Sequence, residues 1–73
     1  DWKAAVEAYQ RAVDLAPADP SPRYWLATAL FAAGDAAGAE REFNTVVRTS
    51  PTFARGYFSL AVIYERRGQQ AEA

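Results

Sequence analysis

An all-α fold, made of antiparallel helix pairs stacked as a solenoid, follows from three observations on this 73-residue chain. The first is a repeat at a shift of 34 residues: Pro17 falls on Pro51, Gly34 on Gly68, Leu26 on Leu60 and Ala27 on Ala61. Ala5 falls on Ala39 and then on Ala73, and Tyr9 on Phe43. A fixed period in this range marks stacked two-helix units. The second is that runs of good helix formers are broken by proline, glycine and aspartate where helices end. The third is that small residues recur among large apolar ones. Ala5, Ala27, Ala39 and Ala61 are expected at close helix crossings, where axes roughly 8–10 Å apart leave no room for a longer side chain. Tyr9, Leu26, Leu30, Phe43, Leu60 and Tyr64 would fill the space on either side.

The helices are expected in the following order. The first runs from Trp2 to about Ala16 and is closed by Pro17 and Pro20. The second runs from Ser21 to Ala33; Pro22 lies in its first turn, where a missing N–H costs nothing. It is apolar almost all round (Trp25, Leu26, Ala29, Leu30, Phe31), as suits a helix packed on several sides. Gly34 supplies the backbone freedom that ends it, and the Asp35 carboxylate can cap the next helix. That third helix spans Ala36 to Thr49, slightly weakened by Gly38, and stops before Pro51, which disfavours helical geometry at Ser50. The fourth spans Phe53 to Arg67 and is expected to end at Gly68, with a further helix begun at Gln69–Ala73. The chain is thus one domain: residues 1–19 the second helix of a first unit, 20–53 a complete unit, and 54–73 the first helix and start of the second helix of a third.

Composition narrows the function. Hydrophobic residues make up 51% and charged residues 23%, the balance of a globular chain. Eight Lys/Arg against nine Asp/Glu give a net charge of −1, which supplies no basic excess for nucleic acid or anionic membrane. There is no cysteine and no histidine, so thiolate catalysis, imidazole base catalysis and the usual zinc sites are excluded. No apolar run approaches the roughly 18 residues of a membrane span. Ser21, Ser50 and Ser59 have no histidine to activate them, and no glycine-rich phosphate loop is present. Glu40 and Glu42 point to different faces of one helix and, with Glu7 and Glu65, read as solvated charge. Arg66 and Arg67 read as a solvated helix end, favourable against the negative end of the helix dipole. No catalytic residue, metal ligand or cofactor is expected.

The third unit reads Tyr57-x2-Leu60-Ala61-x2-Tyr64; the second reads Leu26-Ala27-x2-Leu30, then Ala39-x3-Phe43, then Pro51; the first reads Ala5-x3-Tyr9, Ala12 and Pro17. This pattern resembles the tetratricopeptide repeat over the whole chain. Arg23 departs from it where tryptophan is usual, and Val46 and Thr49 stand where the first unit has Ala12 and Leu15. The resemblance implies a right-handed superhelix of about two repeats, without enzymatic activity of its own. First helices would line a concave groove that takes a peptide or partner helix, and second helices would form the convex back.

The groove-facing positions implied by that resemblance are Ser21, Tyr24, Thr28 and Phe31 on one first helix. On the next they are Arg55, Phe58, Val62 and Glu65, with Arg66 at the edge; spacings of three and four keep each set on one face. Tyr24, Phe31, Phe58 and Val62 offer apolar anchoring surface, and Arg55 and Arg66 offer charge to an acidic group. The aromatics admit a second reading, as ordinary core between repeats. One subtype of the family clamps chaperone carboxyl termini with lysines and asparagines. Tyr24, Thr28 and Ser59 at the matching positions cannot supply these; Arg55 alone fits, so that mechanism is rejected.

A competing function is structural assembly by repeat stacking or helix exchange between copies. Repeat arrays generally need about three units for stability, so the chain is expected to self-associate or to be covered by a longer parent protein. RNA reading, as in pentatricopeptide arrays, is disfavoured by the 34-residue period and the acidic balance.

Overall fold

The helices end where their terminal hydrogen bonds find partners. In a computed structural model that describes residues 1–72, with side chains described through Gly68, four helices follow one another. They are α1 (Trp2–Leu15), α2 (Pro20–Ala32), α3 (Ala36–Thr49) and α4 (Ala54–Glu72). Among the described residues there is no strand. Three aspartates cap three helix starts: Asp1 accepts from the Lys3 amide at 3.1 Å, Asp19 from Ser21 at 3.0 Å and Asp35 from Gly38 at 2.8 Å. Each satisfies a donor that the first helical turn leaves free. At the end of α2, Gly34 takes φ of +96°. Its amide donates to the Phe31 carbonyl at 3.1 Å, and the Asp35 amide donates to Leu30 at 2.9 Å. This is the double bond of a Schellman ending.

One expected break is absent. The fourth helix passes through Gly68 to Glu72, and the separate helix expected at Gln69–Ala73 does not begin within it. The reason lies one residue on. Gly34 is followed by Asp35, which caps a new helix, whereas Gly68 is followed by Gln69, a poor cap. Gly68 has no positive φ, so its backbone stays in the helix. Ala73, the third residue of the Ala5 and Ala39 register, lies outside the described residues.

Each helix packs chiefly against its neighbours in the chain, α1 on α2, α2 on α3 and α3 on α4. The result is a slab measuring 41 × 30 × 13 Å. Ala27, Ala39, Phe43, Leu60 and Ile63 form one buried cluster across α2, α3 and α4, with Tyr24, Leu30, Phe31 and Val47 packed against it. Ala27 and Ala39 have no exposed surface, as the close-crossing argument requires. Ala5 and Ala61 differ from that expectation: Ala5 is half-buried and Ala61 exposed. They lie on α1 and α4, the first and last of these helices, each of which packs mainly on one neighbour. Trp25 is likewise 44% exposed rather than enclosed on all sides.

Gly56 makes the close approach of α3 and α4 instead. A Cβ placed there would lie 2.8 Å from Val47 Cγ1 and 3.2 Å from Val46 Cγ1. Among the described residues, two ion pairs then join helices that the core already brings together. Arg23 on α2 donates to Glu42 on α3 at 2.8 Å, and Arg67 on α4 pairs with Glu40 on α3. Glu40 and Glu42 do point to different faces, but each meets an arginine of another helix rather than water alone. Arg67, though exposed, is correspondingly an inter-helix contact, and it does not end a helix because α4 runs on to Glu72.

A candidate groove between α2 and α4

The residues of α2 and α4 that face each other are set by their spacing along each helix. Tyr24, Thr28 and Phe31 recur at intervals of four and three on α2, and Phe58 and Val62 at an interval of four on α4. A recess of about 200 Å³ is lined by all five of these residues, together with the half-buried Ser59 and the buried Phe43 and Ile63. The backbone positions fit this role, since such intervals keep side chains on one helix face.

The aromatic rings do not stand alike. Tyr24 is half-buried and packed among three rings: Trp25 at 5.2 Å between centroids, Phe53 at 5.4 Å and the buried Phe43 at 5.6 Å. It is both a wall of the recess and a support for the core. Phe58 is 72% exposed, the large apolar surface of this face. Phe31 is half-buried against the core cluster. Val62 is half-buried as well. The Thr28 hydroxyl donates to the Tyr24 carbonyl at 3.0 Å, an i−4 bond that occupies its proton. Thr28 therefore offers a methyl group and an oxygen acceptor.

The two arginines expected in the groove line recesses on either side of the central one. Arg55 shares a recess of about 380 Å³ with Ser21, Phe53 and Ala54. Arg66 and Arg67 share one of about 210 Å³ with Phe31, Gly34, Ala36 and Ile63. The Arg66 guanidinium lies over the Phe31 ring, 5.3 Å from its centroid. A cation so placed is drawn to the negative face of the ring. Among the described residues, neither Arg55 nor Arg66 takes part in an ion pair. Glu65 is exposed one position before Arg66.

Sequence reasoning missed Phe53, which the tyrosine contact brings into the wall, and Phe43 and Ile63, which line the recess. Phe53 was legible only as a helix start; its ring reaches Tyr24 across a separation that no local spacing encodes. Among the described residues there is no cluster of acidic side chains able to hold a metal ion, and no helix long and apolar enough to cross a membrane.

Comparison with known proteins agrees with this architecture. The family model described as tetratricopeptide repeat matches residues 1–63. A curated relative from Arabidopsis thaliana, the TPR repeat-containing thioredoxin TTL4, is 36% identical over all 73 residues. The chain spans 11% of that protein's length. No solved structure matches the chain.

Proposed function

This chain belongs to the tetratricopeptide repeat family, a family of protein–protein interaction modules, and on that footing we propose that the α2–α4 groove holds a peptide segment of a partner protein. The observation that carries the reading is Phe58, a phenylalanine 72% exposed beside a recess walled by Tyr24, Phe31 and Val62. A large apolar side chain kept in water next to an apolar hollow is the arrangement of a docking surface. Arg55 and Arg66 add the residue type in which binding hot spots are enriched. The chain works as a scaffold in this reading, with no catalytic step of its own. Thioredoxin in the relative's name describes a protein about nine times longer, and thiol chemistry would need the cysteine that this chain lacks.

The test is selection of peptides on the chain from a random library, followed by binding to Phe58→Ala and Val62→Asp variants. Selected peptides should bind both variants more weakly, while circular dichroism shows unchanged helicity. Undiminished binding to both would move the site off this groove.

A second reading, association between copies, has its own support. Arg23, Ala27 and Leu30 on α2 lie 34 positions before Tyr57, Ala61 and Tyr64 on α4. The α2 set is buried or half-buried beside α3, whereas Tyr57 and Tyr64 are each 49% exposed and Ala61 is exposed. A helix of another copy would find on α4 a surface of the same register. Sedimentation at micromolar concentration separates the two readings: a strictly monomeric, cooperatively folded species removes association between copies.

A further inference from the structure

The three recesses on this face adjoin one another. The central one shares Phe31 and Ile63 with the Arg66 recess, and the ring contact of Tyr24 with Phe53 joins it to the Arg55 recess. The order along α4 is therefore arginine, apolar hollow, arginine. Arg55 and Arg66 are eleven positions apart, about 16 Å along a helix rising about 1.5 Å per residue. The hollow lies midway, about 8 Å from each.

Resting on the groove reading above, we infer that the partner segment is extended and acidic on both sides of one apolar anchor, in the order Asp/Glu-x-apolar-x-Asp/Glu. The spacing argues for this form. In an extended chain, side chains two positions apart point the same way and are about 6.6 Å apart. Alternate side chains thus fall near the three recesses, and the length of an arginine side chain absorbs the small remainder. A bound helix presents a row of anchors at i, i+3 or i+4 and i+7. The central hollow of about 200 Å³ has room for one large side chain, and the recesses on either side of it each carry an arginine.

Charge decides the flanks. Arg66 lies over the Phe31 ring and, among the described residues, is in no ion pair; its guanidinium fork matches a carboxylate better than a lysine ammonium would. Arg67 next to it is engaged with Glu40, which leaves Arg66 as the receptor at that end. Glu65, exposed one position before Arg66, opposes an acid at that end, so the Arg66 contact has to outweigh it.

The experiment is selection from a pool of nine-residue peptides with leucine or phenylalanine fixed at the centre and all other positions random. The chain should enrich aspartate or glutamate two positions to each side, with affinity about fivefold above a peptide neutral at those positions. That advantage should shrink as salt rises. Arg66→Gln should abolish the acidic preference on one side and Arg55→Gln on the other, with helicity unchanged. Arg66→Lys should restore only part of it. Peptides enriched for the central apolar residue without an acidic bias would overturn this inference and leave the groove standing. Acidic enrichment about eleven positions apart in longer peptides would overturn the extended form. A pool with no enrichment at all would count against both the groove and the inference.

Discussion

The Asp35 carboxylate accepts the Gly38 amide at 2.8 Å, and a Cβ at position 38 would lie 2.4 Å from that same carboxylate. Gly38 therefore weakens the first turn of α3 by its flexibility but leaves room for the side chain that caps it. Asp35 at the same time donates its own amide back to Leu30 at 2.9 Å. One residue closes α2 and opens α3, so the two helices turn sharply enough for Ala27 and Ala39 to meet within one buried cluster.

The two glycines that the 34-residue shift aligns should respond in opposite ways to alanine. Gly34 has φ of +96°, where a Cβ is strained even though no atom lies within 4 Å of it. Gly34→Ala should destabilise by about 1 kcal/mol. Gly68 lies inside α4 with equal space and no positive φ, so Gly68→Ala should stabilise by about 0.5–1 kcal/mol. In a domain of this size 1 kcal/mol shifts the melting temperature by about 4–8 °C. Thermal melts moving in the same direction for both variants would contradict the difference in helix ending.

Crowding at the α3–α4 interface gives the next expectation. Gly56→Ala would press a methyl group against Val47 and Val46, and valines are stiff at χ1 and cannot swing clear. The cost should be about 1–3 kcal/mol, although alanine is the better helix former. Ala39→Leu should lose a similar amount, because Ala39 has no exposed surface between α2 and α3. Denaturant titration measures both; a stabilised Gly56→Ala would show that α3 and α4 lie farther apart than described.

Much of this fold was legible in the sequence, and the parts that were not share a cause. Proline, glycine and aspartate act on the chain within a few residues, so the ends of α1, α2 and α3 could be read to within a residue or so. The 34-residue register carried Ala27 and Ala39 correctly into the core. It failed where local chemistry or packing differs between aligned positions: Gly68 lacks the following aspartate, and Ala61 lacks a helix against it. Gly56 was overlooked because a glycine in a first helical turn looks like a weak helix former until Val46 and Val47 are seen above it. Within the candidate groove, Tyr24, Thr28, Phe31, Phe58 and Val62 are positions that the family resemblance implies, and their spacing keeps each set on one helix face. Spacing could not fix the burial of Tyr24, which depends on Phe43 and Phe53, 19 and 29 positions farther along the chain.

The Arg23–Glu42 pair stands where the repeat pattern has tryptophan, and it joins α2 to α3 with both side chains about one-fifth exposed. The arginine stem can cover apolar surface while its head reaches the carboxylate. A double-mutant cycle with Arg23→Ala and Glu42→Ala should give a coupling of about 1 kcal/mol, at the upper end for pairs near the surface. Part of the loss in Arg23→Ala should persist at high salt, because lost packing is not screened. A coupling indistinguishable from zero would reduce the pair to two independent surface charges.

Tyr24 and Phe58 should separate stability from binding. The Tyr24 ring lies 5.6 Å from the buried Phe43 ring and 5.4 Å from Phe53, so Tyr24→Ala opens a gap beside the core. It should destabilise by about 2 kcal/mol, less than for a fully buried aromatic because the ring is only half-buried. Phe58 is 72% exposed, and Phe58→Ala should alter stability by no more than about 0.5 kcal/mol. Peptide affinity should fall in both variants, with helicity retained fully in Phe58→Ala alone. Chemical denaturation and peptide titration on the same two variants decide the matter. If Phe58→Ala unfolds the chain as readily as Tyr24→Ala, its ring is part of the core in solution and the groove has lost its exposed anchor.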